Sequence, residues 1–346
     1  MKRALPPIPA ERTAEVDDSP VVPGLRFRTF RGAEDFDLMS RIEEESLKAD
    51  GVEWITTADE IKEQFSDSDR QDPYSDVLFV DVFGDTVGYS RISHNNDRED
   101  VKAYRHYVYL LKPWRGKGIE DALFRRNEKL LEHISSAHEG PREKYLQVWA
   151  FDPPNDWRRL VEANGYTPVW HLLEMRHTRL DDVTVSDMPS GLAIRHPRAD
   201  ELRKLWDLFV RCFEGEPWFS ADMWSDEGFD SWLKSNTLDL ELIHVAWEGP
   251  EPVGVVEMRM DDEVIERIGR KVAQAWLVCV DERWRRKGVG SALLSMGLIA
   301  VRRRGATEVM LDTEAENKHK AMKLYESVGF QVQRAFTFYR KPLPVP

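Results

Sequence analysis

Three stretches of this chain occur twice, in the same order and at nearly one spacing. Leu25-Arg-Phe-Arg28-Thr-Phe-Arg31 is answered by Leu192-Ala-Ile-Arg195-His-Pro-Arg198. Pro113-Trp114-Arg115-Gly-Lys-Gly118-Ile is answered by Arg283-Trp284-Arg285-Arg-Lys-Gly288-Val, and Leu160-Val161-Glu162-Ala-Asn-Gly165-Tyr166 by Leu324-Tyr325-Glu326-Ser-Val-Gly329-Phe330. The offsets are 167, 170 and 164 residues, whereas chance matches fall at unrelated offsets. One fold used twice follows: a domain over residues 24–178, a second over 190–346, and a polar linker over 179–189. The length of 346 residues agrees, since at about 150 residues per domain each copy can bury a core of its own. Residues 1–23, with Pro6, Pro7, Pro9, Pro20 and Pro23, carry neither helical nor alternating period and read as an extended tail.

Within the second copy the hydrophobic pattern predicts alternating elements. Asp200 to Glu214 places Leu202, Leu205, Trp206, Leu208, Phe209 and Cys212 at helical spacing, with Asp200 as the expected N-cap. Strands are expected at Ile243 to Trp247 and Val253 to Met258, and the almost continuously apolar Ala273 to Val280 reads as a buried central strand. A helix from Ser291 to Arg304, a strand from Glu308 to Leu311, a helix from Lys318 to Val328 and a strand from Phe330 to Arg340 complete the unit. The resulting fold class is α/β, a mixed sheet with helices on both faces.

The chemistry concentrates where strand Leu277-Val-Cys-Val280 runs into Arg285-Arg-Lys-Gly288-Val-Gly290-Ser and then a helix. Glycines at a helix start let backbone N–H groups approach an anion, and the helix dipole favours its charge. The segment lacks GxxxxGK[ST], and the third glycine of GxGxxG would fall at Leu293, so the nucleotide-binding fingerprints are absent. Arg285-x-x-Gly288-x-Gly290 resembles the R/Q-x-x-G-x-G/A motif of the GNAT superfamily of N-acetyltransferases. Asn317 followed by Ala321-Met-Lys-Leu324-Tyr325-Glu-Ser-Val-Gly329-Phe330 resembles that family's N...A..LYxxxGF segment. The likeness covers both halves of the chain, and its tandem arrangement resembles the mycothiol synthase-like branch.

The resemblance implies two tandem GNAT-like domains, each a mixed, mostly antiparallel sheet, with acetyl-CoA as co-substrate. It implies that Val278, Cys279 and Val280 lie along the thioester and pantetheine. Arg285, Arg286, Lys287, Gly288, Val289, Gly290 and Ser291 would hold the phosphates, Asn317 would also bind the cofactor, and Tyr325 would be the general acid. A glutamate near the start of the central strand acts as base in proteins of that branch; here that position is Gln274, which cannot accept a proton. Glu257 and Glu314 are the substitutes, either acting through water; the sequence does not choose between them, and Glu257 is carried forward as the candidate catalytic residue.

The first copy departs from the pattern twice: Glu120 stands for the second glycine and Val161 for the tyrosine. A carboxylate about 4 Å from phosphate costs about 1 kcal/mol in water and about 4 kcal/mol at a shielded surface. The first domain is therefore expected to be degenerate, completing the substrate cleft without catalysing. The aromatic run Trp218, Phe219, Trp224, Phe229 and Trp232 reads as core, with the lining of an acceptor pocket as the alternative, and Arg302-Arg303-Arg304 as a solvated helix end or a phosphate contact.

Composition narrows the partners. A formal charge of -13 disfavours nucleic acid and anionic membranes. Two cysteines exclude a disulfide framework, and the nine histidines show no ligand spacing, so no metal is expected. No apolar run is long enough to span a membrane, which reads as a cytoplasmic protein, monomer or homodimer. The expected function is transfer of acetyl to a primary amine of a small, cationic molecule by direct attack. The alternatives are a non-catalytic acyl-CoA-binding or regulatory module and a nucleotide-binding protein.

Overall fold

The computed structural model describes residues 13–66, 71–98, 101–139, 143–152, 155–216, 219, 223–315 and 321–344. The chain divides into two compact units, one of residues 1–148, 156–167 and 340–346, the other of residues 149–155 and 168–339.

The first unit opens with β1 (Thr13–Ala14), which pairs antiparallel with β2 (Leu25–Thr29). The proposed tail thus ends in a strand, and Val16 beyond it is buried among Phe27, Leu78 and Leu123. Helices α1 (Glu34–Ala49), α2 (Ala58–Ser66) and the single turn α3 (Pro73–Asp76) precede the antiparallel strands β3 (Val77–Val82), β4 (Asp85–Arg98) and β5 (Val101–Leu110). Helix α4 (Ile119–Ser136) starts at the first glycine turn and leads to β6 (Glu143–Phe151), which runs parallel to β5 from Val101 to Arg105. Helix α5 (Asp156–Ala163) follows.

The second unit takes in β7 (Thr167–His177), β8 (Ala193–Arg195), α6 (Leu202–Phe213), α7 (Asp226–Lys234), β9 (Ile243–Glu248) and β10 (Glu251–Arg259). It continues with α8 (Asp262–Ile268), β11 (Val272–Val280), α9 (Val289–Arg303), β12 (Glu308–Glu314), α10 (Ala321–Ser327) and β13 (Gln331–Pro342). Its strand order is β13-β7-β12-β11-β10-β9-β8, antiparallel from β8 to β11, with β11 and β12 parallel. Strand β7 closes the first repeat in the sequence, yet it pairs antiparallel with β12 from Val309↔His177 to Glu314↔Leu172. Sequence repeat and compact unit therefore part company after residue 167, because β12 completes its ladder with a strand from the other copy.

Two cores lie on opposite faces of this sheet. Leu293, Leu294, Leu298 and Val301 of α9 pack with Val253, Val256, Val309, Leu311 and Phe330 on one face. Leu205, Trp206 and Phe209 of α6 and Trp232 of α7 pack with Val245, Trp247 and Val255 on the other. Trp224, Phe219 and Phe229 belong to that second core, so the described part of the aromatic run is packing; Trp218 lies outside the described residues. Asp200 does not cap α6: residues 199–201 form a 3₁₀ turn, and the Glu201 carboxylate accepts the Arg198 N–H at 2.9 Å. The linker is not free either. Leu180 is buried, its carbonyl accepts from Arg302 Nη1 at 3.0 Å, and Ser186 N–H donates to Ser295 Oγ at 3.1 Å, which lays the segment along α9.

Candidate active site

Strand β11 is irregular where the sequence reads as a uniform apolar run. Its partners on β10 step from Glu257↔Leu277 to Met258↔Ala275, leaving Trp276 as an extra residue in a bulge. The bulge swaps the faces: Ala273 and Ala275 enter the core under α9, whereas Leu277 and Cys279 enter the core under α6 and α7. Pairing with β12 covers Val272↔Glu308, Ala273↔Val309 and Gln274↔Met310 and then stops. From residue 275 to Val280 the strands diverge, which leaves peptide groups on that edge of β11 for a ligand to engage.

Beyond Val280 the chain makes the glycine turn. Arg286 and Gly288 are left-handed, at φ 58° and 90°, and α9 begins at Val289. The first bond into the helix runs from Ala292 N–H to Gly288 O at 3.0 Å, so the N–H groups of Val289, Gly290 and Ser291 point out of the helix start. Arg286 and Lys287 are exposed beside them. A Cβ on Gly288 would meet nothing nearer than 3.9 Å, so its φ is what calls for glycine. Gly290 is helical, and a Cβ there would come within 3.0 Å of Leu324; this glycine lets α10 close on α9.

Three arginines expected near phosphate are engaged elsewhere. Arg285 Nε donates to Val280 O at 2.9 Å and ties the turn to the strand it leaves. Arg302 holds Leu180 O, and Arg304 pairs with Asp239 and with Glu241 at 2.9 Å. Asn317 lies outside the described residues.

Tyr325 on α10 is buried in the α9 core, edge-on to Phe330 at 6.1 Å. Burial, and secondarily the neighbouring Cys279, push its hydroxyl up to about 12. It is a neutral donor at every working pH. Glu257 is 0% exposed rather than solvated: its Oε2 accepts from Trp232 Nε1 at 3.1 Å and its Oε1 from Arg259 Nε at 2.7 Å. Burial pushes its pKa up against the opposing pull of Arg259, whose guanidinium lies 3.5 Å over the Trp276 ring. Glu314 is also buried, and Gln274 stands at the last paired position before the strands part.

Sequence reasoning missed Asp312. The expected strand ended at Leu311, but β12 runs on to Glu314, which puts Asp312 on a strand facing the divergence rather than in a loop. Burial, then the charge of Glu174 directly across on β7, push its carboxyl up to about 7. The readable signal was a carboxylate directly after the apolar run Val309-Met310-Leu311.

The first unit repeats the turn with its own anion. Gly116 and Gly118 are left-handed, and Arg115 Nε donates to Leu110 O at 2.9 Å, matching Arg285. There the Glu120 carboxylate accepts the Gly116 N–H at 3.2 Å, and burial raises its pKa. Val161, at the position of Tyr325, is fully buried.

With this geometry in hand, residues 202–330 match the model of the family described as Acetyltransferase (GNAT) family. Residues 202–330 thus carry a GNAT acetyltransferase domain, and the protein is an acyltransferase. A mycothiol acetyltransferase of Geodermatophilus obscurus is 26% identical over 265 residues, 74% of this chain and 78% of its own length. One from Thermomonospora curvata is 29% identical over 239 residues, 62% of this chain and 68% of its own. A GCN5-related N-acetyltransferase from Sphaerobacter thermophilus shares the fold at a TM-score of 0.72 and 22% identity, covering 93% of this chain and 97% of its own. A tandem GNAT protein from the clavulanic acid biosynthesis pathway has a TM-score of 0.64 at 14% identity, covering 93% and 99%.

Proposed function

We propose that the second unit moves acetyl from acetyl-CoA to a primary amine of a small molecule by direct attack, while the first unit does not catalyse. The observation that carries this is the parting of β11 and β12 at Gln274 beside a turn whose N–H groups converge at the start of α9. The donor set fits acetyl-CoA: left-handed Gly288 with the Val289, Gly290 and Ser291 N–H groups and the exposed Arg286 and Lys287 would hold its phosphates. Val278, Cys279 and Val280 would offer backbone groups along the open edge of β11.

Tyr325 would protonate the departing sulfur. Against a thiol near 8.5, a hydroxyl at about 12 is uphill by about 3.5 units, or about 5 kcal/mol. Transfer is therefore expected to accompany C–S cleavage rather than precede it. Glu257, with both oxygens bonded, would position Arg259 and Trp276 beside the site rather than take a proton itself. The name of the mycothiol acetyltransferase relatives fits a small amine acceptor, and the charge of -13 would draw a cationic one.

The rival reading is a module that binds acyl-CoA without turning it over, and it draws on Gln274 and the sealed Glu257. A thiol-release screen with acetyl-CoA against a panel of primary amines, corrected for hydrolysis, separates the two. Release with at least one amine, with an apparent KM that rises with salt for cationic acceptors, is expected. Binding without release from any amine would overturn acetyl transfer in favour of the module.

A further inference from the structure

An alkylamine near pKa 10.4 is neutral in only about one molecule in 2,500 at pH 7, so acetyl transfer needs a proton acceptor at the site. Gln274 cannot serve, and Glu257 is sealed by Trp232 and Arg259. Strand alternation and the two cores decide what else faces the divergence. Val309 and Leu311 point into the α9 core with Ala273, so Met310 and Asp312 lie on the opposite face with Gln274. Asp312 is two residues past the last β11–β12 pair and partly exposed.

The described groups nearest Asp312 in register are acidic or already paired. Across on β7 stands Glu174, which holds Arg176 Nε at 2.8 Å, and Arg176 Nη1 also reaches Glu308 at 3.5 Å. Along its own strand Glu314 shares its face; on β11 the uncharged Gln274 stands across from Met310, and beyond it Arg259 of β10 is held by Glu257 at 2.7 Å. Among the described residues no cation pairs with Asp312. A half-buried carboxylate beside another negative charge costs stability rather than adding to it, and groups so perturbed cluster at functional sites.

We propose that Asp312 is the group that takes the proton from the acceptor amine, an inference that rests on the acetyl-transfer reading above. Asp312 accepts one proton from the ammonium and yields it to solvent. The freed nitrogen lone pair forms the N–C bond to the acetyl carbon, and the surplus N–H proton of the adduct returns to Asp312. As the C–S bond breaks, its electron pair stays on sulfur, which takes the Tyr325 proton, and Tyr325 is reprotonated from Asp312 through solvent. Burial and Glu174 hold the carboxyl at about 7, about a thousandfold stronger as a base than at its ordinary value of 3.8.

The test compares two nucleophiles at saturating acetyl-CoA: ethanolamine, protonated at pH 7, and hydroxylamine, whose nitrogen is already neutral there. Asp312→Asn is expected to lower kcat/KM for ethanolamine by about 100-fold or more, while hydroxylamine loses less than about threefold. Calorimetric affinity for acetyl-CoA should be unchanged, and Asp312→Glu should recover part of the ethanolamine rate. The wild-type ethanolamine rate should rise through a midpoint at about 7, absent in Asp312→Asn and shifted downward in Glu174→Gln. Equal losses with both nucleophiles, a midpoint that survives Asp312→Asn, or wild-type turnover of hydroxylamine without ethanolamine would each overturn the proposal. No thiol release above the non-enzymatic rate with these two or any other amine of the panel, from protein that still binds acetyl-CoA, would overturn acetyl transfer itself and Asp312 with it.

Discussion

Tyr325 carries the most consequence of any side chain proposed for the site, because its burial changes what it can do. An unperturbed tyrosine begins to ionise in the pH range where an amine becomes neutral, which would set base and acid against each other. At about 12 the hydroxyl keeps its proton throughout that range. Tyr325→Phe is therefore expected to lower kcat about 10- to 1,000-fold at every pH from 6 to 9, with acetyl-CoA affinity within about twofold. Steady-state rates and calorimetry check this; an unchanged kcat would assign protonation of sulfur to water. The identity of Tyr325 was legible because its motif is contiguous. Its burial was not, since that comes from Phe330 and the α9 core. The same holds for Glu257, a strand carboxylate by sequence and a fully buried one once Trp232 of α7 folds over it.

At the scale of elements, the two glycine turns are a natural comparison, alike in backbone but differing in that only the first carries an acid, Glu120. Both start a helix at a left-handed glycine, and both are tied by an arginine Nε to the preceding strand at 2.9 Å. In the first, Glu120 already occupies the Gly116 N–H; in the second, no acid stands at that position. One acetyl-CoA per chain is the expected stoichiometry, with Glu120→Gly creating a weak second site. Gly288→Glu should abolish binding, since it adds a charge of about 1 to 4 kcal/mol against phosphate and a left-handed strain of about 1–2 kcal/mol. Calorimetry reads both, and two equal wild-type sites would contradict the assignment. These turns could be read from sequence because each is one short segment with local conformational demands. The Trp276 bulge, the length of β12 and the pairing of β7 could not, because each is set by a partner strand far along the chain.

Across the whole molecule the repeat has kept its structural fastenings while the site residues have diverged. In each copy an arginine of an early strand grips a carboxylate at the following helix with two bonds: Arg28 with Asp35 at 2.8 and 3.0 Å, Arg195 with Glu201 at 2.7 and 2.7 Å. Each guanidinium also covers an aromatic ring, Phe79 at 4.0 Å and Trp247 at 3.9 Å. Glu120 for Gly290 and Val161 for Tyr325 show the opposite tendency at the turn and the acid. A copy retained for catalysis would keep both sets; one retained for its fold needs only the fastenings. The first unit should then be sensitive at its fastening. Asp35 is 1% exposed and Arg28 5%, and Arg28 Nε also meets Asp81 at 3.2 Å, so Asp35→Ala removes one of two carboxylate partners and should cost about 1.5–3 kcal/mol in urea unfolding, with the m-value unchanged. Removing both charges together, as Arg28→Met with Asp35→Leu, should cost less than the single change, because the one carboxylate that loses its partner, Asp81, is partly exposed and keeps its bond from Thr86 at 2.7 Å. Equal losses from the single and the double variant would mean that helix packing, not the ion pair, fastens α1 to β2.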